Sequence, residues 1–252
     1  MPLRIYLTGR VLIEDSGTVL LDEGRFTGRQ GRLTFVHLAS EHRRAVSRDE
    51  LAEELWLGTL PASWERSLNT IISKLRALLT SAGIPDVALS GSFGRYQLLL
   101  PADAWIDVEA AGDAIDRAES ALRGDKLQEA WGWAQAAYHI SRRPFLMGEE
   151  GPWVSLKRSA LRDVLVRAHE CLSEIFIWNK EPAYAVKHAK EAVAIEPFRE
   201  TSYQLLMRAH AAVGNRAEAL RVYEHCRRLL SEELGVPPSP QIEAVYLAIL
   251  RS

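Results

Sequence analysis

One stretch of the chain has a regular helical pattern and also carries many side chains that can form hydrogen bonds. Residues 64–82 repeat apolar side chains at helical spacing, which predicts an amphipathic helix with one buried side. The outward side carries no acid and displays Arg66, Asn69, Thr70, Ser73, Lys74 and Arg76. Guanidinium, ammonium, amide and hydroxyl groups bind base edges and phosphates in a DNA groove. An ordinary surface helix is the alternative interpretation of this stretch.

Catalytic chemistry has no comparable support in the sequence. The seven histidines are scattered, and neither they nor Cys171 and Cys226 show a metal-ligand spacing. No GxSxG nucleophile motif or GxxxxGK[ST] phosphate loop occurs. We therefore predict a non-enzyme without metal or cofactor, with His169 and His210 as structural histidines and both thiols buried in a reducing cytoplasm. The following tryptophans would line an effector pocket or, as the favoured interpretation, pack in the core: Trp131, Trp133, Trp153 and Trp178.

The composition is that of a globular protein of ordinary charge. The chain has 252 residues, of which 47% are hydrophobic and 25% charged, enough for two domains with separate cores. Its apolar runs are too short to span a membrane, and charges interrupt the N-terminal stretch, unlike a signal peptide. The formal net charge of −2 argues against strong non-specific DNA binding. A basic surface must therefore come from local placement of side chains.

The segments around the amphipathic helix predict small strands and two more helices. Ser47 and Glu50 form a capping-box pattern at the start of the helix that leads to Trp56. The other predicted elements are strands over residues 3–14 (kinked at Gly9) and 18–21, a helix over 28–39, and strands over 87–90 and 96–100 around a tip at 91–95. This order is that of a helix-turn-helix followed by a hairpin, or wing.

The stretches VSRDELAEELW, RSLNTIISKLRALL and GRYQL give residues 1–100 a resemblance to the winged-helix DNA-binding domain of the OmpR type. The resemblance implies that the helix from Trp64 enters the major groove and that the wing reaches a phosphate or the minor groove. The DNA contacts that it implies are Arg48, Arg66, Asn69, Thr70, Ser73, Lys74, Arg76 and Arg95.

Two features depart from that family's pattern. Arg95 separates Gly94 from the wing tyrosine Tyr96, and the outward centre of the helix carries the short side chains of Thr70 and Ser73. Few side chains then remain for base-specific bidentate contacts, each worth roughly 1–3 kcal/mol. We therefore expect one copy to bind weakly and the chain to act as a dimer on DNA.

Beyond a predicted domain boundary at residues 101–103, the chain is nearly all helical and contains a repeat. Leu172, Ala185, Ala189 and Ala192 recur 34 residues later as Leu206, Ala219, Tyr223 and Cys226, which is the tetratricopeptide period. An earlier copy of the alanine spacing, Ala130, Ala134 and Ala137, is separated from the strict period by an insertion near residues 142–153. This insertion, RRPFLMGEEGPW, is predicted to be a loop that carries a special contact.

The second half resembles the bacterial transcriptional activator domain through PFLMGEEGPW and the segment that includes ELGVPPSP. Together the halves are similar to the Streptomyces antibiotic regulatory protein family. We therefore predict a mainly α fold, with a winged-helix domain over residues 1–100 and a tetratricopeptide-like activator domain over residues 103–252. The resemblance implies a cytoplasmic transcription activator that binds tandem direct repeats of double-stranded DNA as a homodimer. It further implies recruitment of RNA polymerase to a biosynthetic gene cluster.

The loop between Trp56 and Trp64 is the polymerase contact that the resemblance suggests. Its candidate residues are Leu57, Gly58, Thr59, Leu60 and Trp64, and a plain helix connector is the alternative. For the whole chain, the alternative function is a protein-interaction scaffold with little DNA affinity, which the near-neutral first half favours. A small-molecule sensor is a third interpretation, and it rests on the tryptophans alone.

Overall fold

The protein is mainly helical, with small sheets near its N-terminus, as the sequence predicts. The computed structural model describes residues 2–84 and 87–251, so the predicted domain ends at residues 1 and 252 lie outside the described residues. The strands are β1 (Arg4–Tyr6), β2 (Leu12–Asp15), β3 (Thr18–Asp22), β4 (Val46–Ser47), β5 (Ala88–Ser92), β6 (Arg95–Leu99) and β7 (Trp105–Ile106). The helices are α1 (Gly28–Ser40), α2 (Arg48–Trp56), α3 (Trp64–Ser81), α4 (Asp107–Arg123), α5 (Leu127–Ser141), α6 (Pro152–Trp178), α7 (Pro182–Ile195), α8 (Glu200–Ala212), α9 (Arg216–Leu229) and α10 (Pro240–Arg251).

The chain divides into two compact units, and it enters each of them twice. The first unit comprises Met1–Ala110 and Arg143–Ala160, and the second comprises Ala111–Arg142 and Leu161–Ser252. The boundaries between the units therefore fall after residues 110, 142 and 160. Residues 143–153 of the predicted insertion belong to the first unit, whereas Arg142 belongs to the second.

The first sheet of this unit has the order β3-β2-β1-β7, with β7 parallel to β1. The prediction of one kinked strand over residues 3–14 is wrong, because β1 and β2 are separate strands that pair antiparallel. Gly9 has a φ of 74°, a left-handed value that suits glycine, and it lies in the connection between them. The buried Asp107 carboxylate accepts hydrogen bonds from Leu7 N at 2.9 Å and from Thr8 N and Oγ1 at 3.0 and 2.7 Å. These bonds secure the connection.

Helices α1, α2 and α3 of the first unit pack against one another through buried apolar side chains. Leu33 and Phe35 of α1, Leu51 of α2, and Leu68 and Leu75 of α3 are all buried. The side chain of the predicted N-cap, Ser47, accepts a hydrogen bond from the backbone amide of Glu50 at 3.1 Å, which begins α2. The Glu50 carboxylate, which would complete a capping box, instead contacts Arg44 and His37.

The wing is a hairpin in a second sheet of order β4-β6-β5. The predicted strands are shifted by one or two residues, since β5 and β6 pair as far as Ser92 and Arg95. The predicted five-residue tip is therefore a turn with only Phe93 and Gly94 between paired residues.

The segment 143–160 packs against the first unit's own residues. The Glu149 side chain is 1% exposed, and its carboxylate contacts Arg29 Nε at 2.5 Å and Arg32 Nη2 at 2.7 Å. Phe145 and Trp153 are buried, and the Trp153 indole stacks on His37 with a centroid distance of 4.3 Å. The contact made by the predicted insertion is therefore with the chain itself, and helix α6 already begins at Pro152.

The second unit is a series of helices whose repeated small residues lie in the core. The alanines of α5 and α7 that define the repeat are fully buried, as are Ala219 and Cys226 of α9. Small side chains allow paired helices to approach closely, which explains the tetratricopeptide spacing. Both cysteines are buried thiols, as predicted, and burial raises the pKa of Cys171 to about 12 and that of Cys226 to about 11.

The histidine pair His169 and His188 joins α6 to α7 inside this unit. Their Nδ1 atoms are 3.0 Å apart, so one ring donates a hydrogen bond to the other. Tyr138 of α5 lies edge-on to both rings. Burial lowers the pKa of each imidazole to about 4, and for both the charge on nearby Lys187 acts in the same direction. His169 is thus a structural histidine with a hydrogen-bond partner, as predicted.

Replacing Glu149 is expected to destabilise the first unit. In Glu149→Ala, Arg32 loses its buried partner, and we expect the free energy of unfolding to fall by about 2–3 kcal/mol. Chemical denaturation followed by circular dichroism measures the change. The matched control is Glu150→Ala, an exposed neighbour, which should stay within about 0.5 kcal/mol of the wild type. Equal losses in both variants would contradict the assigned role.

The histidine pair predicts a loss of stability in mild acid. An unfolded histidine takes up a proton near pH 6.5, whereas the folded pair resists protonation down to about pH 4. The unfolded state therefore binds more protons in this window, and stability falls as the pH drops through it. We expect His188→Gln to reduce this pH dependence by about 1 kcal/mol or more in denaturation at pH 7 and pH 5. The exposed His139→Gln serves as control, and an equal effect of both variants would refute the interpretation.

Candidate nucleic-acid interface

Helix α3 buries one side and leaves an exposed polar side that contains the predicted DNA contacts. Leu68, Ile72, Leu75 and Leu79 are buried, whereas the rest of the predicted stripe, Ile71 and Leu78, is half-buried. All of the contacts predicted on this helix are exposed: Arg66, Asn69, Thr70, Ser73, Lys74 and Arg76. No acidic residue occurs in α3 after Glu65, so the exposed side offers donors and positive charge together.

The exposed side chains of α3 differ in how freely they can meet a ligand. Within residues 2–84 and 87–251, neither Arg66 nor Lys74 forms an ion pair, so both cations are available for phosphates. The Thr70 hydroxyl donates to the Arg66 carbonyl at 2.9 Å, which commits its proton to the helix backbone. Arg66 and Lys74 are therefore the best placed of the predicted helix contacts for binding an anion.

The wing is fastened to the side of α3 by two hydrogen bonds. Arg76 Nε donates to the Leu89 carbonyl at 2.9 Å, and the Tyr96 hydroxyl donates to Asn69 Oδ1 at 3.2 Å. A Cβ atom added to Gly91 would lie 2.6 Å from Arg76 Nη2, so the absence of a side chain at Gly91 makes room for the guanidinium. Arg76 and Asn69, predicted as DNA contacts, thus also hold the wing.

Arg48 connects α2, α3 and the wing turn. Its backbone amide donates to the Gly94 carbonyl at 2.9 Å. Its guanidinium pairs with Glu65 at 3.2 Å and lies 5.8 Å from the centre of the Trp64 ring. This predicted phosphate contact is half exposed and already has an acidic partner, which reduces its net charge towards a ligand.

The wing turn carries one exposed aromatic residue that sequence reasoning did not select. Phe93 is fully exposed and has a φ of 50°, and Gly94 follows with a φ of 71°. The departure from the family pattern at Arg95 is accommodated simply, because Arg95 is the first residue of β6 and is exposed beside the turn. The sequence feature that could have pointed to Phe93 is an aromatic residue directly before a glycine at the tip of a predicted hairpin.

The family of this protein follows from its second half. Residues 106–250 match the family described as "bacterial transcriptional activator domain". The chain belongs to this family. With the relatives below, this match confirms the resemblance to the Streptomyces antibiotic regulatory proteins.

The relatives of this activator-domain chain are transcriptional or other regulatory proteins by name. It is 30% identical over 223 residues to the regulatory protein AfsR of Streptomyces coelicolor, covering 88% of this chain and 22% of AfsR. It is 27% identical to the transcriptional regulatory protein MoaR1 of Mycobacterium tuberculosis over 87% of this chain and 71% of MoaR1. The chain thus spans about a fifth of AfsR and most of MoaR1.

A solved structure in the same family extends the likeness to the whole fold. Mycobacterium tuberculosis EmbR, solved in complex with a low-affinity phosphopeptide, superposes with a TM-score of 0.85 at 25% identity. The likeness covers 99% of this chain and 65% of the EmbR chain. Both the winged-helix part and the helical part therefore have counterparts in a known regulator.

The loop predicted to contact polymerase is a compact, exposed turn in this activator-domain protein. Leu57 ends α2 with a φ of 49°, and Gly58 follows with a φ of 77°. Thr59 N donates to the Trp56 carbonyl at 3.0 Å, and Trp64 N donates to the Pro61 carbonyl at 2.9 Å. The exposed apolar side chains here are Leu57 and Leu60, while Trp64 is half-buried under Arg48.

The tryptophans predicted to pack or to bind an effector do not share one environment. Trp153 is buried in the first unit, whereas Trp131 and Trp178 of the second unit are 45% and 57% exposed. Trp133 is partly buried, with the Arg117 guanidinium 4.8 Å from its ring centre. The packing interpretation therefore holds for Trp153 and Trp133 and is wrong for the other two.

Helices that could span a membrane and clusters of metal ligands are both absent from the part of the chain that is described. None of the helices there is long and apolar enough to cross a membrane. In the same residues, no three side chains among His, Cys, Asp and Glu are grouped as metal ligands would be.

The attachment of the wing predicts that Arg76 controls the wing's stability. In Arg76→Ala the bond to the Leu89 carbonyl is lost, and a bond of this kind contributes about 1 kcal/mol. We therefore expect backbone amides of β5 and β6 to exchange with deuterium about fivefold faster. Ser73→Ala, exposed on the same helix, is the control and should leave the wing's exchange unchanged. Wild-type exchange in the Arg76 variant would show that the bond does not hold the wing.

Proposed function

We propose that this protein is a sequence-specific, DNA-binding transcription activator. The observation that carries the proposal is the exposed polar side of α3, which has no acid after Glu65, with the wing fixed beside it. In the proposed complex, α3 would enter the major groove and the wing would reach the neighbouring minor groove or backbone. Its relatives are named as transcriptional regulators, which supports a function in transcription.

We assign the two activities to different parts of the chain. Residues 1–100 would bind DNA, and residues 103–252 would act as the tetratricopeptide-like activator domain. Such a protein acts in the cytoplasm, where bacterial DNA and RNA polymerase are found. Its targets would be promoters of a biosynthetic gene cluster.

The charges on the interface favour two copies bound side by side. Arg66 and Lys74 are free of ion pairs among the described residues, whereas Arg48 is paired with Glu65 and Arg76 is bonded to the wing. A single copy then offers few phosphate contacts, and each contact contributes to the salt dependence of binding. Tandem direct repeats that seat a homodimer would double the number of contacts.

DNA selection followed by salt titration tests this proposal. A duplex is selected from a random pool by the wild-type chain, and its dissociation constant is measured by fluorescence anisotropy at several salt concentrations. Arg66→Ala/Lys74→Ala removes two phosphate contacts per copy, so the slope of log K against log salt should fall by about 2 per copy. Binding at low salt should weaken by tenfold or more.

The matched control is Lys190→Ala/Arg228→Ala, which removes the same two residue types from exposed positions of the second unit. It should bind as the wild type does. If the wild type selects no duplex, or if both double variants bind equally, the DNA-binding proposal is refuted. Protein partners that are retained after nuclease treatment would then favour the scaffold function, to which the near-neutral composition also points.

We further propose that the loop from Leu57 to Trp64 recruits RNA polymerase. Its exposed apolar side chains have no role on the DNA-facing side of α3, and Leu60 is 46% exposed. An exposed leucine at the edge of a polar surface suits a protein–protein contact.

Leu60→Asp is expected to separate activation from DNA binding. An acidic residue there would disfavour an apolar contact, so transcription from the selected site with purified polymerase should fall by tenfold or more. DNA affinity should stay within twofold of the wild type, because the loop lies outside the proposed groove contacts. Val19→Asp, an equally exposed apolar residue on β3, is the control. Full activation by the Leu60 variant would show that the loop does not contact the polymerase.

A further inference from the structure

The tip of the wing places an aromatic side chain where the fold gains nothing from it. Phe93 and Gly94 are the only two residues between the paired Ser92 and Arg95, and both have positive φ angles, 50° and 71°. Such two-residue turns favour asparagine followed by glycine, because asparagine tolerates the left-handed region. A phenylalanine there is disfavoured by its backbone conformation.

Burial does not offset this cost. The relative exposure of Phe93 is 104%, so the ring has no apolar neighbours within the described part of the chain. Its hydration is unfavourable as well, since an exposed aromatic ring keeps its apolar surface in water. Residues held in disfavoured conformations without a structural reason are concentrated at functional positions. The identity of Phe93 is therefore better explained by a ligand than by folding.

The position of the ring relative to α3 is determined by the contacts that hold the wing. The Gly94 carbonyl accepts from Arg48 N, the Leu89 carbonyl accepts from Arg76 Nε, and Tyr96 is bonded to Asn69. These bonds link both strands and the turn itself to α2 and α3. The Phe93 ring is thus presented on a braced hairpin and not on a free loop.

The charges around the turn indicate an anionic surface as its partner. Arg95 is exposed directly after the turn. The Arg48 side chain, whose guanidinium is paired with Glu65, lies 3.6 Å from the position that a Gly94 Cβ would take. No acidic residue occurs between residues 87 and 100. An apolar ring flanked by cations suits the minor groove of DNA, where apolar wedges enter between base pairs while cations meet the phosphates.

Resting on the proposed DNA-binding function, we propose that Phe93 is a minor-groove wedge. Its ring inserts partly into one base-pair step beside the bases that α3 contacts, unstacks that step and bends the duplex. The wing then discriminates sequences by their deformability, and pyrimidine–purine steps, which unstack most easily, are preferred at that position. This mode of reading supplements the few long side chains at the centre of α3.

A wedge and a phosphate contact differ in their dependence on salt. Phe93 carries no charge, so its loss should weaken binding without changing the slope of log K against log salt. Arg95→Ala, at the other side of the same turn, should instead lower that slope by about 1 per copy. The two neighbouring residues therefore provide a matched comparison.

The experiment uses the full chain and the duplex selected by the wild type, with 2-aminopurine placed at each step next to the bases contacted by α3. Phe93→Asn keeps or improves the turn, and its melting temperature, equal to or above that of the wild type, shows that it is folded. Phe93→Trp keeps an aromatic ring. Energy transfer between dyes at the duplex ends reports the bend.

We expect the wild type to raise 2-aminopurine fluorescence at one step and to bend the duplex. Phe93→Asn should bind about tenfold more weakly with an unchanged salt slope, no fluorescence increase and a smaller bend. Phe93→Trp should retain most of the affinity, the fluorescence increase and the bend. A second selection with Phe93→Asn should lose the preference for a flexible step at that position.

The outcomes separate this proposal from the function on which it rests. If the wild type selects no duplex, both are overturned. If the wild type binds but Phe93→Asn matches its affinity, fluorescence and bend, only the wedge is overturned. A Phe93→Asn variant that binds normally but fails to activate transcription also overturns it and assigns the ring to a protein contact.

Discussion

The hydrogen bond from Arg76 to the Leu89 carbonyl joins the wing directly to α3, and the candidate interface depends on the placement of the wing beside this helix. A two-stranded hairpin is only marginally stable by itself in water. Here it is held by the Tyr96–Asn69 bond and by the Arg48 amide as well. The orientation of the wing is therefore set by the same helices that present polar groups to the solvent.

This construction uses cationic side chains for two purposes. Arg48 and Arg76 contribute positive charge to the surface, but both are also engaged in internal contacts. Under the proposed function, the internal contacts of these two arginines make the interface more rigid but leave less positive charge free to bind phosphates. A binding surface of this type relies on shape and on the number of copies more than on electrostatic attraction.

The sequence predicted those features that depend on interactions between residues close together in the chain. The apolar spacing of α3, the Ser47 cap and the buried alanines of the repeat follow from periodicity and hydrogen bonding over a few residues. The division of residues 3–14 into two strands depends on pairing with β3 and β7, which periodicity within one segment does not show. The contacts of Glu149 with Arg29 and Arg32 join positions more than one hundred residues apart, so the sequence predicted a loop with a special contact but not the partners of that contact. At the interface, the exposed polar side was predictable, but the second role of Arg76 required the position of the wing.

The return of residues 143–160 to the first unit has a consequence for the order in which the protein is made. A ribosome releases residues 1–110 well before the segment that carries Glu149, Phe145 and Trp153. Until that segment emerges, Arg32 has no buried carboxylate beside it and His37 has no indole to stack on. The winged-helix part therefore completes its core only after the first helices of the following unit have been synthesised. A nascent chain that stops before residue 143 would leave these side chains of α1 without their partners.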